Sequence, residues 1–127
     1  MIYKLILVFL ASQIMGCSVC DNEEIFRETS ADKVVDAVVI KANCGATTSY
    51  VYKVAIVPFG EEVLDNYVFL ADKPNWLEVH WVENKQLSIT YNEARIFQYT
   101  NFWRSSKVDN FNYIVNITEN KNQRDSP

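Results

Sequence analysis

The stretch WLEVHWVENKQLSITY, residues 76–91, contains the clearest structural pattern in the chain. Apolar residues alternate with polar ones in both halves, at Leu77, Val79 and Trp81 and then at Leu87, Ile89 and Tyr91. Alternation with period two is typical of a strand with one buried and one exposed face. The ENK triplet at 83–85 separates the halves, and Asn84 tolerates the positive φ that a tight hairpin turn requires. The stretch therefore predicts an antiparallel β-hairpin.

Further strand patterns lie on both sides of this hairpin. They are VVDAVVIKA (34–42), YVYKVAIVP (50–58), YVFLA (67–71), ARIFQYTNFW (94–103) and FNYIVNITEN (111–120). We predict one all-β domain at 31–121, with six or seven strands in a single antiparallel sheet, a meander or a sandwich. Weak helical spacing in DNEEIFRE (21–28) suggests a minor N-terminal helix, and the polar residues 122–127 are expected to form a flexible tail.

Composition narrows the classes of partner. The chain has 127 residues, of which 49% are hydrophobic, which is enough for one domain with a core. Its formal net charge is -4. An acidic balance argues against nucleic-acid binding and against electrostatic docking on anionic lipid headgroups.

The first sixteen residues have the pattern of a secretory signal. A basic start precedes the apolar run LILVFL at 5–10, which is too short to span a bilayer. IMGC, at 14–17, resembles the lipobox of bacterial lipoproteins, although Met15 departs from the usual small residue. The resemblance implies cleavage between Gly16 and Cys17 and lipid attachment at Cys17. The alternatives are an ordinary secreted protein and an uncleaved N-terminal strand.

The remaining cysteines suggest a disulfide. With Cys17 assigned to lipid, Cys20 and Cys44 form an even pair in an oxidising compartment. A bridge between them would close a loop of about 25 residues and stabilise the fold by ~3–4 kcal/mol. Residues 17–30 are then predicted to be the lipid attachment site and a short tether. Without the bridge they would form a looser acidic stalk.

NCGATTS, at 43–49, carries a second resemblance. With the strands around it, this motif is similar to a group of small uncharacterised bacterial lipoproteins and envelope proteins, which brings no established activity. The Thr47 and Thr48 hydroxyls are candidates for binding an anion or a small polar ligand. The alternative is a hairpin loop whose hydroxyls satisfy its own backbone.

The stretch YTNFWRSS, at 99–106, is the other candidate binding site. It concentrates Tyr99, Phe102, Trp103 and Arg104, and aromatic residues with arginine are typical of binding hot spots. The alternative is that Phe102 and Trp103 complete the core.

Catalytic and metal sites find little support in the sequence. His80 is the single histidine, and a nucleophilic pair with Cys44 would need a carboxylate such as Glu78 to orient it. We expect no catalytic residues, no metal site and no cofactor.

Together these patterns predict a non-enzymatic lipoprotein of the bacterial cell envelope that acts through binding or structural contact. Its partners would be the membrane, through the lipid anchor, and an envelope protein. The domain would face the periplasm or the cell surface. Ser18 after the lipidated cysteine, rather than Asp, favours the outer membrane where one exists. One alternative is a periplasmic inhibitor or immunity-type protein whose acidic domain blocks a basic partner. Another is a hydrolase that uses a carboxylate pair.

Overall fold

A computed structural model describes residues 20–43, 50–72, 74 and 76–121. Within them the chain forms strands and a single 3₁₀ turn, Asp109–Phe111. The strands are β1 (Asp21–Thr29), β2 (Val35–Asn43), β3 (Val51–Pro58), β4 (Tyr67–Asp72), β5 (Trp76–Glu83), β6 (Gln86–Asn92), β7 (Arg95–Tyr99), β8 (Phe102–Trp103) and β9 (Val115–Lys121). The predicted all-β class is confirmed, with nine strands in the described residues instead of six or seven.

The strands form two sheets. A five-stranded sheet has the order β1-β2-β3-β4-β7, and every neighbouring pair in it is antiparallel. A four-stranded sheet has the order β5-β6-β9-β8, in which β6 and β9 run parallel. Parallel neighbours require a long crossover connection. Here the crossover between β6 and β9 contains β7, which joins the five-stranded sheet, and then β8, which joins the four-stranded sheet.

The two sheets face each other across one hydrophobic cluster. Val39 and Val54 from the five-stranded sheet belong to the same cluster as Leu87 and Ile89 from the four-stranded sheet. This is the arrangement of a β-sandwich, in which the inward residues of both sheets form the core. β2 is also covered on its outer face, where Val38 and neighbouring residues pack against Val63 and Tyr67. Burial on both faces explains why the β2 sequence is almost continuously apolar.

The predicted hairpin forms, and its alternating apolar residues pair across the two strands. Val79 of β5 lies opposite Ile89 of β6, and Trp81 lies opposite Leu87. The turn is shorter than the predicted 83–85, because Glu83 belongs to β5 and pairs with Gln86. Its positive φ of 65° belongs to Lys85 and not to Asn84. The Asn84 side chain instead accepts a hydrogen bond from the backbone N–H of Asp32 at 2.9 Å.

Two predicted strands are corrected by the structure. The stretch 94–103 is two strands, β7 and β8, which belong to different sheets. The last strand begins at Val115 and not at 111, since Asp109, Asn110 and Phe111 all have positive φ values that no strand can contain.

The acidic stretch 21–28 is neither a helix nor a tether. It forms most of β1, which pairs with β2 along its whole length, from Asp21 opposite Asn43 to Thr29 opposite Asp36. The described β domain therefore begins at Asp21 and not at residue 31. A β-bulge between Glu24 and Phe26 explains the weak helical spacing, since it shifts the alternation by one residue.

Several predictions lie outside the described residues. They concern the signal at 1–16, lipidation of Cys17, the residues Cys44, Thr47 and Thr48, and the tail at 122–127. Cys20 is disulfide-bonded. Its pairing with Cys44 stays a prediction.

Candidate functional site

A groove of about 540 Å³ lies between the open edges of the two sheets. β1 is the edge strand of the five-stranded sheet, and β5 is the edge strand of the four-stranded sheet. β5 packs across β2, so β1 lies one strand further out. The inner face of β1 is consequently only partly covered, which leaves a step between the sheets.

The floor of the groove is the inner face of the five-stranded sheet. Phe26 of β1 lies opposite Val39 of β2, and both line the groove together with Tyr52 of β3. Val39 is buried, whereas Phe26 is 44% exposed although it points to the same side. This difference in exposure shows that the four-stranded sheet packs over Val39 but does not extend over Phe26.

The wall of the groove is the edge of β5. Leu77 and Val79 supply its apolar part, while Glu78 and His80 line the groove as exposed residues. Glu28 of β1 also lines it. The groove thus combines an apolar floor with two carboxylates and one imidazole, a combination typical of binding sites in which a few polar groups set orientation.

A two-point contact between the edge strands closes one end of the groove. The indole N–H of Trp81 donates to the Glu28 carbonyl oxygen at 2.9 Å, and the Trp81 backbone N–H donates to Glu28 Oε1 at 3.4 Å. His80 Nδ1 lies 3.9 Å from the same carboxylate oxygen. Since Trp81 is buried, this contact fixes the separation of β1 and β5.

The opposite face of β1 is held by a charged network around Arg27. Its guanidinium contacts Glu24 Oε1 and Asp36 Oδ2, each at 2.8 Å, and donates to the Glu61 carbonyl oxygen at 3.1 Å. The Gly60 N–H donates to Asp36 at 3.0 Å. The network ties β1 to β2 and to the turn after β3, so the floor of the groove is rigidly attached to the sheet.

These contacts keep the acidic groups ionised. The hydrogen bond from Arg27 lowers the pKa of Glu24. Burial alone would raise the pKa of Asp36, but hydrogen bonds from the Gly60 N–H and Arg27 bring it below its ordinary value. The pKa of Asp32 is lowered in the same way, because hydrogen bonds from Ser30 and other groups outweigh the effect of its burial.

The structure does not bring the residues of the predicted aromatic site together on one surface. Trp103 is 5% exposed and belongs to the core, as the alternative interpretation expected. Tyr99 donates its hydroxyl to the Ile117 carbonyl oxygen at 2.5 Å, which links the two sheets. Phe102 is exposed on the other side of β8.

Arg104 contacts an aromatic residue outside the predicted stretch 99–106. Its guanidinium lies over the Phe111 ring, 5.5 Å from the centroid, and Phe111 is exposed. Sequence reasoning misses Phe111 because the 3₁₀ turn that presents it has no clear sequence signal.

His80 has a different carboxylate neighbour from the predicted one. Glu28 of β1 approaches its Nδ1, whereas the sequence suggests Glu78. Across residues 20–43, 50–72, 74 and 76–121, there is no group of three or more His, Cys, Asp and Glu side chains placed to hold a metal ion. The same residues contain no helix long and apolar enough to cross a membrane.

The groove is the feature that sequence reasoning misses. Its one signal is the pair Ile25 and Phe26 within an otherwise acidic stretch, which a tether would not require. Comparison of the chain with protein-family models, with curated proteins and with solved structures finds no match.

Proposed function

We propose that this chain is a non-enzymatic lipoprotein of the bacterial envelope that binds a partner protein in the groove between β1 and β5. The observation that carries the proposal is the partly uncovered apolar floor at Phe26, with Glu28 and Glu78 at its border and the Trp81–Glu28 contact at one end. An apolar surface of this kind with polar residues at its border is typical of a binding site.

The position of β1 supports a site close to a membrane. Only Ser18 and Val19 separate Cys17 from Cys20, and β1 begins at the next residue. At ~3.4 Å per residue, a lipid on Cys17 would hold the start of β1, four residues further on, within about 14 Å of the bilayer surface. The groove runs along this strand, so a membrane-associated partner could reach it.

Signal cleavage and lipid anchoring are tested by the intact mass of the protein purified from membranes, measured with and without reduction and thiol alkylation. We expect a chain that begins at an acylated Cys17, with two further thiols that react only after reduction. The disulfide at Cys20 requires at least one partner thiol, and pairing with Cys44 gives this pattern. A mass that retains residues 1–16, or three free thiols, would contradict the proposal.

Binding is tested by site-specific photo-crosslinking in cells. A benzophenone amino acid placed at Phe26 should give one defined crosslinked partner. The matched control is the same group at Phe59, which is 58% exposed and does not line the groove. Equal crosslinking from both positions would show that the groove is not the binding surface.

The inhibitor or immunity-type alternative shares this site. Glu28 and Glu78 line the groove of a chain whose net charge is -4, so a basic partner surface would be electrostatically complementary. If the crosslinked partner is a toxin or a hydrolase whose activity falls on binding, this alternative describes the function more closely.

The hydrolase alternative receives less support. A general acid in hydrolysis needs a raised carboxyl pKa. Glu24, Asp32 and Asp36 have lowered pKa values, because each accepts hydrogen bonds that favour its ionised form. They act as structural anions that hold β1 and the turn after it.

A further inference from the structure

We propose that the groove binds an extended segment of the partner protein as an added strand on β5, with apolar side chains facing Phe26 and a basic side chain beside Glu78. This inference rests on the proposed function and specifies how the groove would be filled. Addition of a strand to an open sheet edge is a known mode of peptide recognition, in which backbone hydrogen bonds supply affinity and alternate side chains supply specificity.

The backbone of β5 presents hydrogen-bonding groups to the groove. The Trp81 N–H points away from β6, since it donates to Glu28 on β1. In an antiparallel pair, the outward N–H and C=O groups recur at every second residue. Leu77 and Val79 therefore direct their backbone groups to the same side, where no strand of the described part of the chain pairs with β5.

The unequal sheets leave room for one more strand. The five-stranded sheet has β1 beyond β2, whereas the four-stranded sheet ends at β5, which packs across β2. A strand added to β5 would lie ~4.8 Å further out, above β1. Its inward side chains would cover Phe26 and Ile25, which are 44% and 46% exposed. The added strand would complete the sandwich.

The contact between Trp81 and Glu28 sets the length of the segment that can pair with β5. The free edge of β5 extends from Trp76 to His80, because the N–H of Trp81 is already bound to Glu28. At ~3.3 Å per residue, this edge accommodates about five residues of an extended chain. A groove of about 540 Å³ is consistent with a short segment and not with a folded domain.

The charge of Glu78 indicates which side chains the partner segment should carry on its outward face. Glu78 alternates with the buried Val79 and is exposed, so it points to the outer face of the four-stranded sheet. A residue directly across from Glu78 on an added strand would be its cross-strand neighbour, and an opposite charge there is stabilising. The acidic net charge of the chain adds to this preference. The partner segment is therefore apolar at one set of alternate positions and basic at the other.

The test uses the full chain, ¹⁵N-labelled in detergent, and short peptides of defined sequence. The probe alternates valine and lysine. One matched peptide alternates valine and glutamate, and another is the probe with N-methyl groups on the backbone amides that would pair with β5. We expect the probe to slow hydrogen exchange at the Leu77 and Val79 amides, and both matched peptides to bind more weakly.

Two variants of the protein separate the backbone and charge contributions. Leu77→Pro removes one outward N–H and leaves the β5–β6 hydrogen bonds in place, as an edge strand permits. Because the Leu77 side chain lines the groove, the matched control is Leu77→Ala, which shortens that side chain but keeps the N–H. We expect Leu77→Pro to bind about fivefold to tenfold more weakly than Leu77→Ala, the effect of one lost hydrogen bond. Glu78→Gln should weaken binding of the lysine peptide more than Glu83→Gln does, since Glu83 does not line the groove but carries the same charge.

The outcomes distinguish this inference from the proposed function. If the probe perturbs Phe26 but binds equally well after N-methylation and to Leu77→Pro, the groove is a binding site and strand addition is wrong. If Phe26 yields a crosslinked partner but no alternating peptide binds, the mode of binding is again wrong while the function stands. Concentration-dependent dimers that protect the same two amides would identify a second copy as the occupant and overturn the proposed partner.

Discussion

Arg27 and Arg95 provide a test of how β1 is held in place. Both arginines contact an aspartate in the strand that pairs with their own, at nearly the same distance: Arg27 to Asp36 at 2.8 Å and Arg95 to Asp72 at 2.9 Å. The pairs differ in burial. The Arg27 side chain is 25% exposed and that of Asp36 is 2% exposed. The Arg95 side chain is 75% exposed and that of Asp72 is 12% exposed. Burial and not geometry should decide their contributions.

We expect Arg27→Met to lower the free energy of unfolding by about 3 kcal/mol. Methionine keeps an apolar stem but leaves Asp36 buried without its cation, and loss of one partner of a buried pair costs about 3–5 kcal/mol. The lower end applies because the Gly60 N–H still contacts Asp36. Arg95→Met should cost less, about 1 kcal/mol, because the Arg95 guanidinium is largely in water and water still reaches Asp72, whose side chain is 12% exposed. Urea unfolding at neutral pH measures both values.

The effect should depend on pH with a defined sign. In the wild type the pKa of Asp36 is lowered from 3.8, so its stabilising contribution is present above that value and is lost as the pH falls through the folded-state pKa. Without Arg27, Asp36 takes up a proton at a higher pH and its buried charge disappears. The difference between wild type and Arg27→Met should therefore narrow below about pH 4. Equal costs for the two arginine variants, or a difference that does not change with pH, would refute the reasoning.

Two further predictions concern alkaline pH and the core. Burial and a hydrogen bond to Glu119 raise the pKa of Tyr91 to about 12, and burial and Asp32 do the same for Tyr113. The contribution of both hydroxyls to the free energy of unfolding should be complete below about pH 10 and lost toward pH 12. In urea unfolding, the variant that combines Tyr91→Phe and Tyr113→Phe should lose less stability over that pH range than the wild type does. Trp103→Ala should cost about 3–5 kcal/mol as a core truncation. Phe102→Ala, at an exposed position, should cost about 0.5 kcal/mol or less, and equal costs in thermal unfolding would contradict the placement of Trp103 in the core.

The candidate site is less predictable from the sequence than the fold. The groove depends on β1, whose bulge disguises the strand pattern of an acidic stretch. It also depends on contacts between Glu28 and Trp81, which are 53 positions apart in the chain. The aromatic stretch 99–106 is apparent in the sequence, yet the chain crosses between sheets after Tyr99, so its members have separate roles.

Strand alternation alone indicates the all-β class and the residues of the β5–β6 hairpin that face the core, because alternation is a local property that follows from the pleat. The tertiary structure alone decided that there are two sheets, that β6 and β9 run parallel and that β1 extends beyond β5. These features arise from packing between residues distant in the chain, and a period-two pattern identifies which side of a strand is buried but not which strand covers it. The groove exists because that cover is incomplete over Phe26.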